Sequence, residues 1–172
     1  APDAGEIHVD GTRRSVRSPR DAITLGIGMV HQHFMLVPAM TVAENVELGG
    51  LGHYDAGTSA AKLRALEEKT GFALDPSAKV SSLGVPAQQR LEIIKALAHD
   101  AHVLILDEPT AVLAPPDAQD LLARIRDLVV RGISVVLITH KLRDAREYAD
   151  DVSVLRDGSL VLMGSMMVRH VP

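Results

Sequence analysis

Residues 103–110 read "VLILDEPT": four apolar residues, two carboxylates, a proline and a threonine. So short an apolar run, closed by polar residues and a helix-breaking proline, predicts a buried strand ending at Asp107. Downstream the rhythm continues: "PDAQDLLARIRDLVVRG" (116–132) is a helical pattern, "ISVVLITH" (133–140) a second apolar run, and "KLRDAREYAD" (141–150) a helix with a solvated, charged face. Strand, helix, strand in succession implies a parallel sheet covered by helices. The near-continuous apolar character of the strands predicts burial on both faces. From Asp117, the residues Leu121, Leu122, Ile125, Leu128 and Val129 form one stripe, with Gly132 as the stop. In "VSVLRDGSLVLMG" (152–164) the Asp157-Gly158 pair marks a hairpin.

Upstream of the opening strand, "PAQQRLEIIKALAH" (86–99) is a helix opened by Pro86, with Leu91, Ile94, Leu97 and Ala98 on its apolar face. "AAKLRALEEKTGF" (60–72) is another helix, and the Gly-rich "GLGHYDAGTSA" (50–60) reads as a mobile connection. Residues 42–99 therefore read as a helical insertion between 1–41 and 100–172. In the first part, "EIHVDGTRRSVRS" (6–18) is a hairpin, and "SPRDAITLG" (18–26) is a short helix capped by Ser18, with Pro19 at its first position and Gly26 as its stop. "IGMVH" (27–31) is a buried strand that runs into Gln32.

Composition excludes several classes. With 172 residues, 47% of them hydrophobic and 23% charged, the chain suits one globular domain. No apolar run approaches the roughly 18 to 20 residues that cross a bilayer, and the N-terminal stretch lacks the build of a signal peptide, so the chain is expected in the cytosol unless a partner holds it at a membrane. Zero cysteines exclude disulfides and zinc-thiolate sites. A net charge of −4 and 2% aromatics give neither a basic footprint for nucleic acid nor platforms for stacking bases.

The polar residues that end the apolar strands define a candidate site. Gln32, Asp107 with Glu108, and His140 come from three strands, and open parallel sheets bind ligands at the carboxyl ends of their strands. Asp107 suits Mg²⁺, directly or through water, because that small hard cation prefers oxygen ligands. Glu108 is placed to polarise an attacking water, His140 to hydrogen-bond a transferred phosphoryl group, and Gln32 to reach metal or water through its amide oxygen. His31 and His33 flank Gln32 with spacing that chelates metal from an extended strand; without a third ligand nearby in sequence they read as structural or surface histidines. Gln88, Gln89 and Arg90 fit the solvated side of a helix and a direct role equally well.

In this order and spacing, "GMVHQHF", "QQRLEIIKAL", "VLILDEPTAVL" and "LITHKL" resemble the ATP-binding cassette of ABC transporters. The wording is similar to the first cassette of importers for simple sugars and nucleosides, whose ATPase subunits carry two cassettes in tandem. The resemblance implies an α/β fold with a parallel-sheet, P-loop NTPase-like core and a helical subdomain. It implies ATP and Mg²⁺ as cofactors, Gln32 as the Q-loop glutamine, Asp107 as the Walker B aspartate, Glu108 as catalytic base and His140 as the switch histidine. It also implies transmembrane permease subunits and a second cassette as partners, a substrate-binding protein indirectly, and a place at the cytoplasmic face of the membrane. Pentose, hexose and nucleoside are not distinguished.

Two departures qualify the resemblance. No lysine here is preceded by G-x-x-x-x-G-K-[ST], the loop whose backbone N–H groups and lysine wrap phosphates. In the family that loop lies upstream of a segment resembling "PDAGEIHVDG" (2–11), so the expectation is a cassette incomplete before Ala1, with a native start, and a non-catalytic interaction module, as the alternative. In the signature loop, residues 83–90 read "LGVPAQQR", with Gly84 where serine or proline is expected and Pro86 where glycine is expected. Gly84, Ala87 and Gln88 would face the nucleotide of an opposing cassette, but Gly84 brings no hydroxyl and Pro86 no N–H, so that contact is expected to be weak.

Overall fold

The computed structural model describes residues 5–48 and 56–165, the backbone alone at 56–60. Strands β1 (Ile7–Val9) and β2 (Thr12–Arg14) form an antiparallel hairpin. Its turn is Asp10-Gly11, with φ of 51° and 70°, the doubly left-handed geometry that favours such a pair. Helix α1 (Pro19–Thr24) starts on a capping box: the Asp21 N–H donates to Ser18 Oγ at 3.2 Å and the Ser18 N–H to the Asp21 carboxylate at 3.0 Å. Gly26, at φ 69°, turns the chain into strand β3 (Ile27–Val30).

Helices follow: α2 (Val42–Glu47), α3 (Ala56–Thr70), a 3-10 turn at Val80–Ser82, and α4 (Val85–Leu97). The Gly-rich connection expected at 50–60 lies outside the described residues as far as residue 55, and from Ala56 the backbone is helical rather than looped. Strand β4 (Val103–Asp107) comes next, then α5 (Pro115–Val130), β5 (Ser134–Ile138) and α6 (Leu142–Tyr148). Helix α5 begins at Pro115, two residues before Asp117, because consecutive prolines suit a first helical turn, whose N–H groups have no acceptor in any case. Strands β6 (Asp151–Arg156) and β7 (Ser159–Ser165) form a hairpin around Asp157-Gly158.

The central sheet has the order β3-β4-β5 and is parallel throughout, with Val30 opposite Leu106 and Asp107 opposite Ile138. Among the described residues its apolar strands are packed on one face, where two were expected. Val30, Leu104 and Leu106 are buried with Leu91, Ile94 and Leu97 of α4 and with Leu122 and Leu128 of α5. On the opposite face Met29, Val136 and Ile138 are 42%, 50% and 46% exposed. Apolar alternation reports strand character, and what covers a face is decided by elements remote in sequence. The β6–β7 hairpin forms its own two-stranded sheet, with Leu155 and Met163 exposed.

Gly28 sets how closely α4 approaches the sheet, and Asn45 ties α2 to the segment that follows β3. Gly28 of β3 lies so close to α4 that a Cβ there would sit 2.7 Å from the Ala96 carbonyl oxygen. Asn45 of α2, fully buried, accepts the Val37 N–H at 2.8 Å and donates to the Val37 carbonyl at 3.1 Å and the Thr41 carbonyl at 3.0 Å. Among the described residues no helix is long and apolar enough to cross a membrane.

Candidate functional site

The carboxyl ends of β3, β4 and β5 deliver the site. Asp107 is the last residue of β4 and shares an open cleft of about 300 Å³ with His31, Gln32, His33 and Met35, which follow β3. The chain turns sharply at Glu108, whose φ of 50° is left-handed, a conformation that costs a non-glycine residue energy and persists only where neighbours enforce it. The neighbour here is β5: the Glu108 N–H donates to the Ile138 carbonyl at 2.9 Å. That turn aims the Glu108 side chain away from Asp107 and at the end of β5. There its Oε1 accepts the His140 backbone N–H at 3.1 Å and lies 2.6 Å from ring Nδ1. With neutral imidazole the contact requires the proton on Nδ1, leaving Nε2 as an acceptor on an exposed ring. The second oxygen, Oε2, is buried and has no hydrogen-bond partner among the described residues.

The two loops are laced together beside the site. Buried Thr110 donates through Oγ1 to Asp144 of α6 at 2.9 Å, and its carbonyl accepts from Lys141 Nζ at 2.8 Å. The Lys141 N–H donates to Thr139 Oγ1 at 3.0 Å. Such bonds hold the strand ends in register without occupying the cleft.

Of the expected site residues, Gln32 and Asp107 line one cleft and Glu108 and His140 form one pair on the adjoining strand ends. Gly84, Ala87 and Gln88 stand apart, at the start of α4. Gly84 is the N-cap and supplies no side-chain cap, while Gln88 Nε2 donates back to the Leu83 carbonyl at 2.8 Å. Gln89 is buried, which corrects the reading of this position as solvated. Arg90 pairs with Asp120 of α5 at 3.1 Å.

Sequence reasoning missed Glu92. It sits within the apolar face of α4, 5% exposed, and accepts the Met35 N–H at 2.5 Å. A carboxylate between Leu91 and Ile93 was the available signal. Burial pushes the Glu92 carboxyl above its ordinary value of 4.5, against the opposing pull of Lys95, the Met35 N–H and His31. The folded chain therefore holds this proton more tightly than the unfolded chain. The stabilising contribution of protonation is full below the ordinary value and lost as pH rises through the raised one. Glu92→Gln is accordingly expected to gain stability relative to wild type between acid and neutral pH; urea midpoints at several pH values check this, and a constant difference would contradict it.

A carboxylate and an amide share one cleft and are hard ligands that would fit Mg²⁺, while the unpartnered carboxylate oxygen belongs to the adjoining turn at Glu108. The parallel strands, their crossover helices and this polar edge define an α/β cassette of the P-loop NTPase kind. The sequence profile described as ABC transporter matches residues 1–111, and the chain belongs to that family. It is 44% identical to the nucleoside import ATP-binding protein NupA of Lactococcus lactis over 93% of this chain and 32% of that protein. It is likewise 44% identical to the glucose import ATP-binding protein TsgD13 of Haloferax volcanii, over 92% of this chain and 35% of that protein. The chain thus spans about a third of the length of these curated relatives. Among solved structures, cbiO1 of Clostridium perfringens, part of the ABC transporter complex cbiONQ, superposes with a TM-score of 0.79 at 25% identity, over 95% of this chain and 67% of that one.

Proposed function

We propose that the whole protein carrying these residues is the ATP-hydrolysing subunit of an importer for simple sugars or nucleosides. The observation that carries this reading is Glu108: bonded to His140, next to Asp107 in sequence, with one carboxylate oxygen buried and unpartnered among the described residues. Bound MgATP would supply the phosphoanhydride bond and a metal to neutralise charge on its oxygens. Asp107 and Gln32 would hold the metal, Glu108 Oε2 would take a proton from water, and His140 would hydrogen-bond the γ-phosphate. The turn at Glu108 keeps the two carboxylates from competing for one partner. Gly84, Ala87 and Gln88, at the start of α4, would face the nucleotide of a second cassette, in tandem or as a dimer.

The relatives named as nucleoside and glucose import proteins support the substrate class, and cbiO1, as part of a transporter complex, supports permease subunits as partners. A substrate-binding protein would deliver the cargo, and the subunit would work at the cytoplasmic face of the membrane. With a net charge of −4, nucleic acid is not a partner in this reading. ATP-driven uptake of labelled ribose, glucose and a nucleoside into vesicles containing the whole protein and its permease tests it. Uptake of one of the three is expected; ATP-dependent uptake of none would count against the import role.

The altered signature loop has its own consequence. Pro86 at the second position of α4 offers no N–H and Gly84 no hydroxyl, so the double substitution Gly84→Ser with Pro86→Gly is expected to raise ATP turnover severalfold. An unchanged rate would show that the loop serves its partner site adequately as it stands.

A further inference from the structure

The stretch that leaves the cleft is gripped by side chains the cleft itself does not use. Glu92 and Lys95 stand one turn apart on α4 and take hold of the two main-chain groups of one residue. Glu92 Oε1 accepts the Met35 N–H at 2.5 Å, and Lys95 Nζ donates to the Met35 carbonyl at 2.6 Å. Two residues on, Asn45 of α2 does the same for Val37, at 2.8 and 3.1 Å. Alternate residues thus receive from side chains the paired bonds that a neighbouring strand supplies in a sheet. The segment is therefore located by α2 and α4 rather than by β3, from which it emerges. At Met35 the bond from the Lys95 ammonium is charge-assisted, and such bonds are roughly twice as strong as neutral ones. Met35 also lines the cleft together with Gln32 and Asp107.

We propose that Glu92 and Lys95 are positioning residues for Gln32. By holding Met35 from both sides they fix where the segment after Gln32 leaves the cleft, and with it where Gln32 stands relative to Asp107. The inference rests on the reading of the whole protein as an ATPase, and it assigns the cleft two supporting side chains that do not line it.

Three variants of the whole protein test it. Glu92→Leu removes the acceptor, Lys95→Met removes the donor but keeps the stem, and Glu92→Gln keeps an acceptor oxygen. For Glu92→Leu and Lys95→Met, kcat for MgATP is expected to fall roughly tenfold, with KM changed less than about twofold, because a misplaced group costs rate rather than affinity. Glu92→Gln is expected to restore most of kcat. Hydrogen exchange of the Met35 amide should accelerate about tenfold or more in Glu92→Leu and stay near wild type in Glu92→Gln. Should Glu92→Leu fail to fold, Lys95→Met carries the kinetic comparison. Wild-type kcat in Lys95→Met, or a Met35 amide equally protected in Glu92→Leu, overturns the proposal. A wild-type protein with no ATPase activity overturns the functional reading and the positioning role with it, while the exchange result still reports whether the grip on Met35 exists.

Discussion

Glu108→Gln in the whole protein is expected to lower ATP turnover on the order of 100-fold or more while leaving nucleotide binding nearly intact. The substitution preserves shape and keeps an oxygen that can accept the His140 N–H, now bonded at 3.1 Å, so the turn after β4 should hold its conformation. What it removes is the basicity of the carboxylate whose second oxygen is buried without a partner among the described residues. Phosphate release and filter binding of labelled ATP, measured side by side, check the split. A variant that loses binding along with turnover would assign Glu108 a structural role at its left-handed turn.

The largest stability effect is expected from Gly28→Val. A Cβ on Gly28 would lie 2.7 Å from the Ala96 carbonyl oxygen and 3.2 Å from the Ala101 Cβ, and the first of these is backbone that cannot rotate aside. Helix α4 would have to lift off β3, disturbing the core in which Val30, Leu91 and Ile94 are wholly buried. Overpacking of this kind costs about 3 kcal/mol. Urea denaturation monitored by far-UV circular dichroism reads it directly; a midpoint unchanged from wild type would show that α4 and β3 are less tightly packed than described.

Local signals made much of this architecture legible in the sequence. The Asp-Gly pairs at 10–11 and 157–158 specified hairpins because only a few residue types tolerate two successive left-handed conformations. Ser18, Pro19 and Gly26 marked the limits of α1 through capping chemistry. The apolar runs ending at Asp107 and at Ile138 specified strands, and the polar residues at their ends lie together as the candidate site. What stayed hidden depends on contacts remote in sequence. An apolar strand reads the same whether one face is covered or two, so the exposure of Met29, Val136 and Ile138 could not be read from β3 and β5 alone. The left-handed turn at Glu108 is imposed by the Ile138 carbonyl, 30 residues away in sequence. Glu92 looked like a stray charge because its partner, the Met35 N–H, lies 57 residues upstream.

The measurement that bears most directly on the central claim is phosphate release from ATP by the whole protein, with whatever sequence flanks these residues, with Mg²⁺ and after its removal by chelation. The account predicts turnover that requires the metal and that Asp107→Asn abolishes, since Asp107 is the carboxylate facing the cleft shared with Gln32. Turnover indifferent to both the metal and Asp107, or none under any condition, would contradict the assignment of this strand edge as a site of ATP hydrolysis.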